Sequence, residues 1–178
     1  MTVTLRPSTR ADLDYITALE RRDDNREHIG QWSDWEHLGA IEGRNGRSHW
    51  VIERDGERAG YLIAYDCRPR DAGFYVKRIL VDRKDSGTGS AALEWYLNRA
   101  FEQQGASCVW LMVREANARG RHIYENLGFT RFDPQPDDAK RYDAFEEAPG
   151  DGVFRMRLEK GARLSPYRSP TPPTRYAR

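Results

Sequence analysis

The sequence predicts an α/β (α+β) fold in which helices cover both faces of a mixed, mostly antiparallel central sheet of about seven strands. Stretches of alternating apolar residues, typical of strands, are interleaved with stretches whose apolar residues recur at helical spacing. Asp55-Gly56 separates two strand-like stretches and favours the positive φ values of a tight hairpin, which makes those strands antiparallel neighbours. Ser107–Val113 is apolar on both alternating faces, as expected of an interior strand covered on both sides.

The remaining elements are predicted from capping residues and from apolar spacing. Strands are expected at Val3–Arg6, Ser48–Glu53, Arg58–Tyr65, Gly73–Val81, Ser107–Val113, Phe129–Phe132 and Val153–Leu158. Helices are expected at 13–22 after the capping box Thr9/Asp12, in a short segment after Ser33 and Glu36, from a glycine-rich turn to about Gln104, and at Asn117–Leu127. The acidic stretch between the last two strands is expected to be irregular.

The length of 178 residues allows one domain with its own core, which we place at residues 1–160. Residues 161–178 contain four prolines and four arginines without any acidic residue. Such a segment cannot bury enough apolar surface to fold alone, so we expect a flexible tail or an arm docked on a neighbouring molecule. The tail is the reason to expect a homodimer.

Composition excludes several classes of protein. Lys and Arg total 29 against 28 for Asp and Glu, and the net charge of +1 leaves no basic excess for binding nucleic acid. No apolar run is long enough to span a membrane, and residues 1–15 do not resemble a secretory leader. Cys67 and Cys108 are too few for a disulfide framework and lack metal-ligand spacing, so we predict no metal and expect a cytoplasmic location.

The glycine-rich turn after Gly73–Val81 is the most informative segment. A helix N-terminus carries unpaired N–H groups and the positive end of the helix dipole, so it favours an anion. Gly87 and Gly89 lack a β-carbon, which lets a phosphate approach the backbone closely. Lys84 adds a compensating charge. Hydroxyl donors stand at alternate positions, Ser86, Thr88 and Ser90.

Other interpretations of this turn remain open from the residues alone. Glycines ahead of a helix often form a tight turn without any ligand. A P-loop is excluded because its Gly-Lys-Ser/Thr sequence is missing. Gly87-x-Gly89-x-x-Ala92 satisfies the dinucleotide fingerprint, but the nearest acidic candidate, Glu115, lies too far along the chain, and the preceding hairpin does not belong to a doubly wound sheet. An NAD(P)-binding oxidoreductase is therefore an alternative.

Asn117 and Tyr124 are seven residues apart, two helical turns, and so face the same way. Asn117 suits the start of a helix, where its side chain either caps the backbone or donates to a ligand. The hydroxyl of Tyr124 is able to protonate a departing thiolate, since the reference pKa values of thiol and phenol are ~8.5 and ~10. The alternative for Tyr124 is an ordinary core aromatic.

The two stretches together resemble the two best-known motifs of the GCN5-related N-acetyltransferase (GNAT) superfamily. Its pyrophosphate loop has the pattern Gln/Arg-x-x-Gly-x-Gly/Ala, and Lys84–Gly89 fits it with lysine in the first place. Its later motif, Asn-x-Arg-Ala-x-x-x-Tyr-x-x-x-Gly-Phe, is matched by Asn117–Phe129, with Gly120 where alanine is common. The element order over Val3–Leu158 is also similar to that fold.

The resemblance implies transfer of an acetyl group from acetyl-CoA to a primary amine by direct attack in a ternary complex. It implies a sheet splayed between the fourth and fifth strands, with pantetheine bonded to backbone groups in the gap, the pyrophosphate on the turn and Tyr124 as general acid near the sulfur. The implied coenzyme-binding residues are Ile79, Leu80, Val81, Lys84, Asp85, Ser86, Gly87, Thr88, Gly89, Ser90, Asn117 and Tyr124. A non-catalytic acyl-CoA sensor is a further alternative.

Within the superfamily, one set of residues is similar to bacterial members near the ribosomal-protein N-acetyltransferases: Glu20, Asn25, Ile29, Trp32, Ser33 and His37. Related sequences often carry a glutamate where this chain has Tyr75, so the general base is not assigned. Candidates for the base are Glu27, His28, Glu36 and His37, although a solvated helix face is the favoured interpretation of these charged residues. A covalent route through Cys108 is disfavoured because this residue alternates with apolar neighbours in a buried strand.

The acceptor is predicted only in outline. The acidic stretch 133–151 would attract a cationic amine such as a polyamine, an aminoglycoside or a protein N-terminus if it overhangs the acceptor side. A solvated surface loop is the alternative. Trp32, Trp35 and Trp50 are candidates for the wall of an acceptor pocket, with core packing as the alternative.

Overall fold

The structure, a computed structural model, describes residues 1–26, 29–66, 73–143 and 149–162. The strands are β1 (Val3–Pro7), β2 (Arg47–Arg54), β3 (Glu57–Tyr65), β4 (Phe74–Val81), β5 (Cys108–Arg114), β6 (Thr130–Phe132) and β7 (Val153–Glu159). The helices are α1 (Leu13–Glu20), α2 (Asp23–Arg26), α3 (Asp34–Ile41), α4 (Thr88–Asn98), α5 (Ala118–Asn126) and α6 (Pro136–Asp143). Within these residues, none of the helices has the length and apolar character needed to cross a membrane.

The strands form one seven-stranded sheet in the order β1-β2-β3-β4-β5-β7-β6. Neighbouring strands are antiparallel throughout, except for the parallel pair β4–β5. The hairpin between β2 and β3 has positive φ at Asp55 (52°) and Gly56 (87°), as the sequence predicts. The topology confirms a mixed, mostly antiparallel sheet and differs from the parallel, doubly wound sheet of a dinucleotide-binding domain.

Helices cover both faces of the sheet, which is also confirmed. On one face, Leu93 and Leu97 of α4 pack with Ile52 and Val109 in the larger core cluster. On the other face, α1 and α3 cover a smaller cluster that contains Tyr61 of β3. Each helix buries its apolar stripe against the sheet because no other surface of that size is available to it.

The element boundaries agree with the prediction where a local signal exists. Ser33 and Glu36 form the predicted capping box ahead of α3. The α-helical part of α4 ends at Asn98 and continues as a wider helical turn over Arg99–Gln103. The tail beyond residue 162 and the homodimer expected from it lie outside the described residues.

Two helices were not predicted. The segment Asp23–Arg26 (α2) is too short to show a periodic pattern. The acidic stretch expected to be irregular contains α6, which is anchored by one aromatic residue: the ring of Tyr142 lies 5.2 Å from that of Trp110 and 5.2 Å from that of Phe132. These contacts are tertiary, so local sequence could not indicate the helix.

An inserted residue in β4 shapes the middle of the sheet. Ile63 of β3 pairs with Arg78 and Ala64 pairs with Val76, so the register of β3 skips Lys77, which forms a β-bulge. The alternation of side chains therefore shifts along the strand: Phe74 and Val76 share the larger core cluster with Ile79 and Val81, whereas Tyr75, Arg78 and Leu80 face the other way. β4 pairs with β5 only from Phe74 to Val76, so the two strands part at the bulge.

On the face of α1 and α3, the bulge places Arg78 in a buried polar cluster around Glu20. The Glu20 carboxylate accepts hydrogen bonds from the Tyr61 hydroxyl, from Arg78 and, at 3.2 Å, from the backbone N–H of Trp32. His37 Nε2 lies 3.3 Å from the same carboxylate. Burial alone would raise the pKa of Glu20, but the bonds from His37 and Tyr61 and the charge of Arg78 lower it to about 2.

The cluster continues through two histidines. His37 Nδ1 lies 3.2 Å from His49 Nε2, and His49 Nδ1 lies 2.8 Å from the Ser8 hydroxyl. Burial, reinforced by the neighbouring His37, lowers the pKa of His49 to about 3. His49 is therefore neutral in the folded protein at every pH at which the fold is expected to persist.

The close contact between β3 and β4 yields a stability prediction. A β-carbon on Gly60 would overlap the carbonyl oxygen of Leu80 and lie 2.9 Å from Cα of Val81. A β-carbon on Gly56, which also has positive φ, would meet nothing within 4 Å. We expect Gly56→Ala to cost about 1 kcal/mol of unfolding free energy from backbone strain, and Gly60→Ala at least about 2 kcal/mol more. Chemical denaturation of both variants measures this difference, and equal losses would contradict it.

The buried cluster predicts loss of stability in acid. His49 titrates at about 3 when folded against 6.5 for the free group, and Glu20 at about 2 against 4.5. At low pH the unfolded chain therefore binds more protons than the folded protein. The free energy of unfolding decreases as the pH falls below about 6.5, because His49 takes up a proton on unfolding, and decreases further below about 4.5, because Glu20 does so too. Each proton lowers it by up to ~1.4 kcal/mol per pH unit.

Unfolding free energies of the wild type measured from pH 7 to pH 3 test this expectation. His49→Gln should flatten the decline between pH 6.5 and pH 4.5, because this group then no longer takes up a proton on unfolding. His122→Gln is the matched control, since His122 is exposed. A wild-type curve that is flat above pH 4.5, or equal flattening by both variants, would show that the buried histidine is not responsible.

Candidate active site

A cavity of about 420 Å³ lies where β4 and β5 part. The β4 residues that follow the bulge form one wall, and the beginnings of α4 and α5 form others. From the opposite side, α2 contributes Asp24 and Asn25. The predicted coenzyme-binding residues that line this cavity are Ile79, Leu80, Val81, Lys84, Gly89, Asn117 and Tyr124.

A second depression, of about 430 Å³, lies at the glycine-rich turn and shares Val81, Lys84 and Gly89 with the first. The predicted residues that line it are Val81, Lys84, Asp85, Ser86, Gly87, Gly89 and Ser90. Thr88 lines neither, because it is completely buried beneath the turn. The twelve residues named from the sequence thus lie together, with Thr88 supporting the others from below.

The turn is held by its own side chains. Gly87 adopts φ 75° at the N-terminus of α4, and Asp85 adopts φ 59°. The Ser86 hydroxyl lies 2.7 Å from the carbonyl oxygen of Arg83 and 2.9 Å from the Thr88 hydroxyl, so both hydroxyl groups are used inside the turn. Among the described residues, the N–H groups of Gly89 and Ser90 have no acceptor, as expected for the first turn of a helix.

Two ion pairs tie the turn to its surroundings. Lys84 Nζ lies 2.9 Å from the Asp24 carboxylate of α2, which lowers the pKa of Asp24. Arg119 of α5 lies 2.8 Å from the Asp85 carboxylate. Lys84 and Arg119 therefore face both the depression and an acidic residue of the protein.

At the start of α5, Asn117 has the conformation of a cap. Its side-chain oxygen accepts the Gly120 N–H at 2.9 Å, and among the described residues its Nδ2 group makes no hydrogen bond. A β-carbon at position 120 would approach Asn117 Nδ2 to 2.7 Å, so glycine here lets the side chain fold back onto the helix. The predicted role of Asn117 as a helix cap is thus confirmed for its oxygen, whereas donation by its amide N–H₂ group to a ligand in the cavity stays a prediction.

Tyr124 lies two turns further along α5 and is partly buried, with its ring centroid 6.0 Å from that of Phe129. Within the described part of the chain, its hydroxyl has no hydrogen-bond partner. Burial raises the pKa of Tyr124 to about 12, so the hydroxyl is protonated at neutral pH. The arrangement provides a phenol, rather than a phenolate, at the wall of the cavity.

The residues considered as general base do not meet in this cavity. Glu27 and His28 lie outside the described residues. Glu36 is bound to the backbone N–H and hydroxyl of Ser33 in the capping box. His37 is completely buried between Glu20 and His49, so its assignment to a solvated helix face is wrong.

The aromatic residues considered for the acceptor wall are divided among different environments. Trp50 is in the core, whereas Trp35 is 67% exposed, with the Arg44 guanidinium 4.4 Å from its ring. Trp32 is partly buried over Arg78, at 5.3 Å. Tyr75 is buried and stacked on Trp110 at 4.1 Å.

Cysteine chemistry has no support in the described residues. Burial raises the pKa of Cys108 to about 11, which disfavours the thiolate needed by a nucleophile. Cys67 lies outside the described residues. No group of three His, Cys, Asp or Glu side chains within the described ranges is arranged to hold a metal ion.

The short helix α2 contributes cavity residues that sequence reasoning did not assign to the site. Asp24 was not singled out, and Asn25 was noted only through its similarity to a bacterial subgroup. Both line the cavity between β4 and β5 together with Ile29, which was noted on the same grounds. Their position depends on how the chain returns over β4 after α1, and no local pattern reports that path.

Comparison with known proteins agrees with this geometry. The model of the acetyltransferase (GNAT) family matches residues 12–129, more than half of the chain. Spermidine N(1)-acetyltransferase of Escherichia coli K12 is 27% identical over 139 residues, which cover 72% of this chain and 73% of that protein.

Among solved structures, an aminoglycoside acetyltransferase, AAC(6')-Ib, bound to paromomycin and acetyl-CoA aligns with a TM-score of 0.72 at 17% identity, over 91% of this chain and 96% of the other. The ribosomal-protein-S18-alanine N-acetyltransferase of Escherichia coli aligns with a TM-score of 0.65 at 21% identity, over 93% of this chain and 97% of the other. These structures share the fold. From the family match and the shared architecture, the chain belongs to the acetyltransferase (GNAT) family, whose cosubstrate is acetyl-CoA.

Proposed function

We propose that the cavity between β4 and β5 holds the pantetheine arm of acetyl-CoA and the amine that accepts its acetyl group. The observation that carries the proposal is the parting of β4 from β5 after Val76, which leaves the backbone edge of Ile79–Val81 facing the cavity beside Tyr124. An extended amide chain fits such an edge as an added strand would, because it supplies matching N–H and carbonyl groups. The bound coenzyme supplies the acetyl thioester.

The glycine-rich turn is proposed to hold the pyrophosphate. Gly89 and Ser90 present free N–H groups at the positive end of α4, an eleven-residue helix. Gly87 and Gly89 add no side chain to the depression, and Lys84 and Arg119 supply positive charge at its rim. Asp85, Ser86 and Thr88 are assigned to keeping the turn in shape, since their side chains bond within the protein.

Tyr124 is proposed to donate its proton to the departing sulfur. With a pKa of about 12, the phenol is a weak acid compared with a thiol in water at ~8.5. The thiolate would leave in the same apolar surroundings, however, and burial raises the pKa of a thiol as well, to about 11 for Cys108 of this chain. The proton transfer is therefore close to balanced inside the protein. Asn117 is proposed to donate its free amide N–H to the coenzyme.

The acceptor is proposed to be a cationic primary amine that attacks directly in a ternary complex, in the cytoplasm. Two similar proteins are named for cationic amines, spermidine and an aminoglycoside. Asp137 and Asp138 in the first turn of α6 belong to the acidic stretch expected to attract a cation, although neither residue lines the cavity. A panel of spermidine, kanamycin and a peptide with a free N-terminal alanine, assayed with acetyl-CoA, tests the proposal, and absence of transfer to any amine would favour an acyl-CoA sensor instead.

The first prediction concerns the proposed acid. We expect Tyr124→Phe to lower kcat by about 10²-fold, because the thiolate would leave without a proton donor. Thermal stabilisation by coenzyme A should be unchanged, since the ring remains. Steady-state assays with the best amine of the panel measure the first effect and thermal melts the second. A kcat within about threefold of the wild type would remove Tyr124 from the mechanism.

The second prediction concerns the anion site. A β-carbon at Gly89 would meet only Cγ1 of Val81, at 3.8 Å, so Gly89→Ala should fold normally. The methyl group would enter the space at the start of α4, and we expect coenzyme A to bind about tenfold more weakly. Inhibition by pantetheine, which lacks the pyrophosphate, is the internal control and should not change. Unaltered affinity for coenzyme A would place the pyrophosphate elsewhere.

A further inference from the structure

Asn25 of α2 carries a buried polar atom that the protein does not satisfy. Only 1% of the residue is exposed, and its Nδ2 group donates to the carbonyl oxygen of Leu19 at 2.8 Å. Its Oδ1 atom has no hydrogen-bond partner among the described residues. The bond to Leu19 fixes the orientation of the amide, so the oxygen is the atom left without a partner.

A buried carbonyl oxygen without a hydrogen bond destabilises the fold, and such groups are few in folded proteins. An apolar residue of similar size would avoid this cost at the same position. Among the residues that line the cavity between β4 and β5, Asn25 is also the one, within the described ranges, with an orphaned buried polar atom. Both facts indicate that the partner of Oδ1 belongs to a molecule bound in the cavity rather than to the protein.

The position of Asn25 restricts the chemistry of that partner. The same cavity is lined by Ile79 and Leu80 of β4 and by Tyr124. An amide oxygen only accepts hydrogen bonds, so its partner must be a donor. The two molecules that meet at these residues in an acetyltransferase are the pantetheine arm, which carries amide N–H groups, and the acceptor, which carries an amino group.

We propose that Asn25 Oδ1 accepts a hydrogen bond from an N–H group of the ligand held between β4, α2 and α5. The inference rests on the proposed function, because it needs pantetheine and an amine in that cavity. Asn25 then has two roles on two atoms: Nδ2 fastens α2 to the end of α1, and Oδ1 binds the ligand. A substitution that removes the oxygen but keeps the fold would weaken the binding of one of the two substrates specifically.

A pair of variants separates these roles. Asn25→Leu and Asn25→Asp both lose the bond from Nδ2 to Leu19, but Asn25→Asp keeps an oxygen acceptor at the position. We expect Asn25→Leu to weaken binding about tenfold and Asn25→Asp to stay within about threefold of the wild type. Asp23→Asn on the same helix, whose side chain is 98% exposed, is the matched control and should behave as the wild type.

Two measurements identify the source of the N–H group. Calorimetric titration with coenzyme A reports the pantetheine amide, and the KM of the amine that the wild type acetylates best, at saturating acetyl-CoA, reports the acceptor. Melting temperatures without ligand report the loss of the Leu19 bond. A larger loss in Asn25→Leu than in Asn25→Asp in either measurement supports the inference and names the donor.

Equal losses in both variants would assign Asn25 a purely structural role, and no loss in either would make it a packing residue; each result overturns the inference. Wild-type protein that binds coenzyme A and acetylates an amine leaves the proposed function standing in both cases. Wild-type protein that does neither would refute the proposed function itself, and the inference with it.

Discussion

Opposite Ile63 and Ala64 of β3, the strand β4 uses three residues where regular pairing would use two. The extra residue, Lys77, reverses the alternation of side chains and ends the pairing with β5. A strand that leaves its neighbour exposes backbone N–H and carbonyl groups, which are costly to leave unpaired inside a protein. The bulge therefore opens the gap in the sheet. It also leaves backbone N–H and carbonyl groups at that gap which an extended chain could pair with.

The same bulge turns Arg78 away from the larger core cluster, toward which regular alternation from Phe74 and Val76 would have pointed it. Arg78 faces the α1 side with 7% of its side chain exposed, and the carboxylate of Glu20 balances its charge. A buried charge without its partner costs several kcal/mol, so each residue depends on the other. Glu20 also binds the backbone of Trp32, so this ion pair fixes the returning chain against β4. The stability of the sheet and the path of the chain over β4 thus both depend on a single buried pair.

The parts of the fold that could be predicted from the sequence are those whose determinants are adjacent in the chain. Asp55-Gly56 defines its own hairpin, and Ser33 and Glu36 cap their own helix. The turn and the helix of Asn117 and Tyr124 were likewise recognisable, because each motif is contiguous. His37 was misjudged since its partners, Glu20 and His49, come from other elements. The bulge at Lys77 is a property of strand register, which only the neighbouring strand determines.

The acidic partners of the glycine-rich turn affect how an anion would bind there, because they already occupy its cations. Asp24 and Asp85 pair with Lys84 and Arg119, yet the carboxylate side chains are 42% and 71% exposed. Exposed pairs of this kind contribute only about 0–1 kcal/mol, so a phosphate group able to reach the same cations and the N–H groups of α4 would replace them at little cost. The freed carboxylates would remain in water. Asp24 belongs to α2 and Arg119 to α5, so such an exchange would act on both helices that flank the cavity. It would physically connect the glycine-rich turn to the walls around Asn25 and Tyr124.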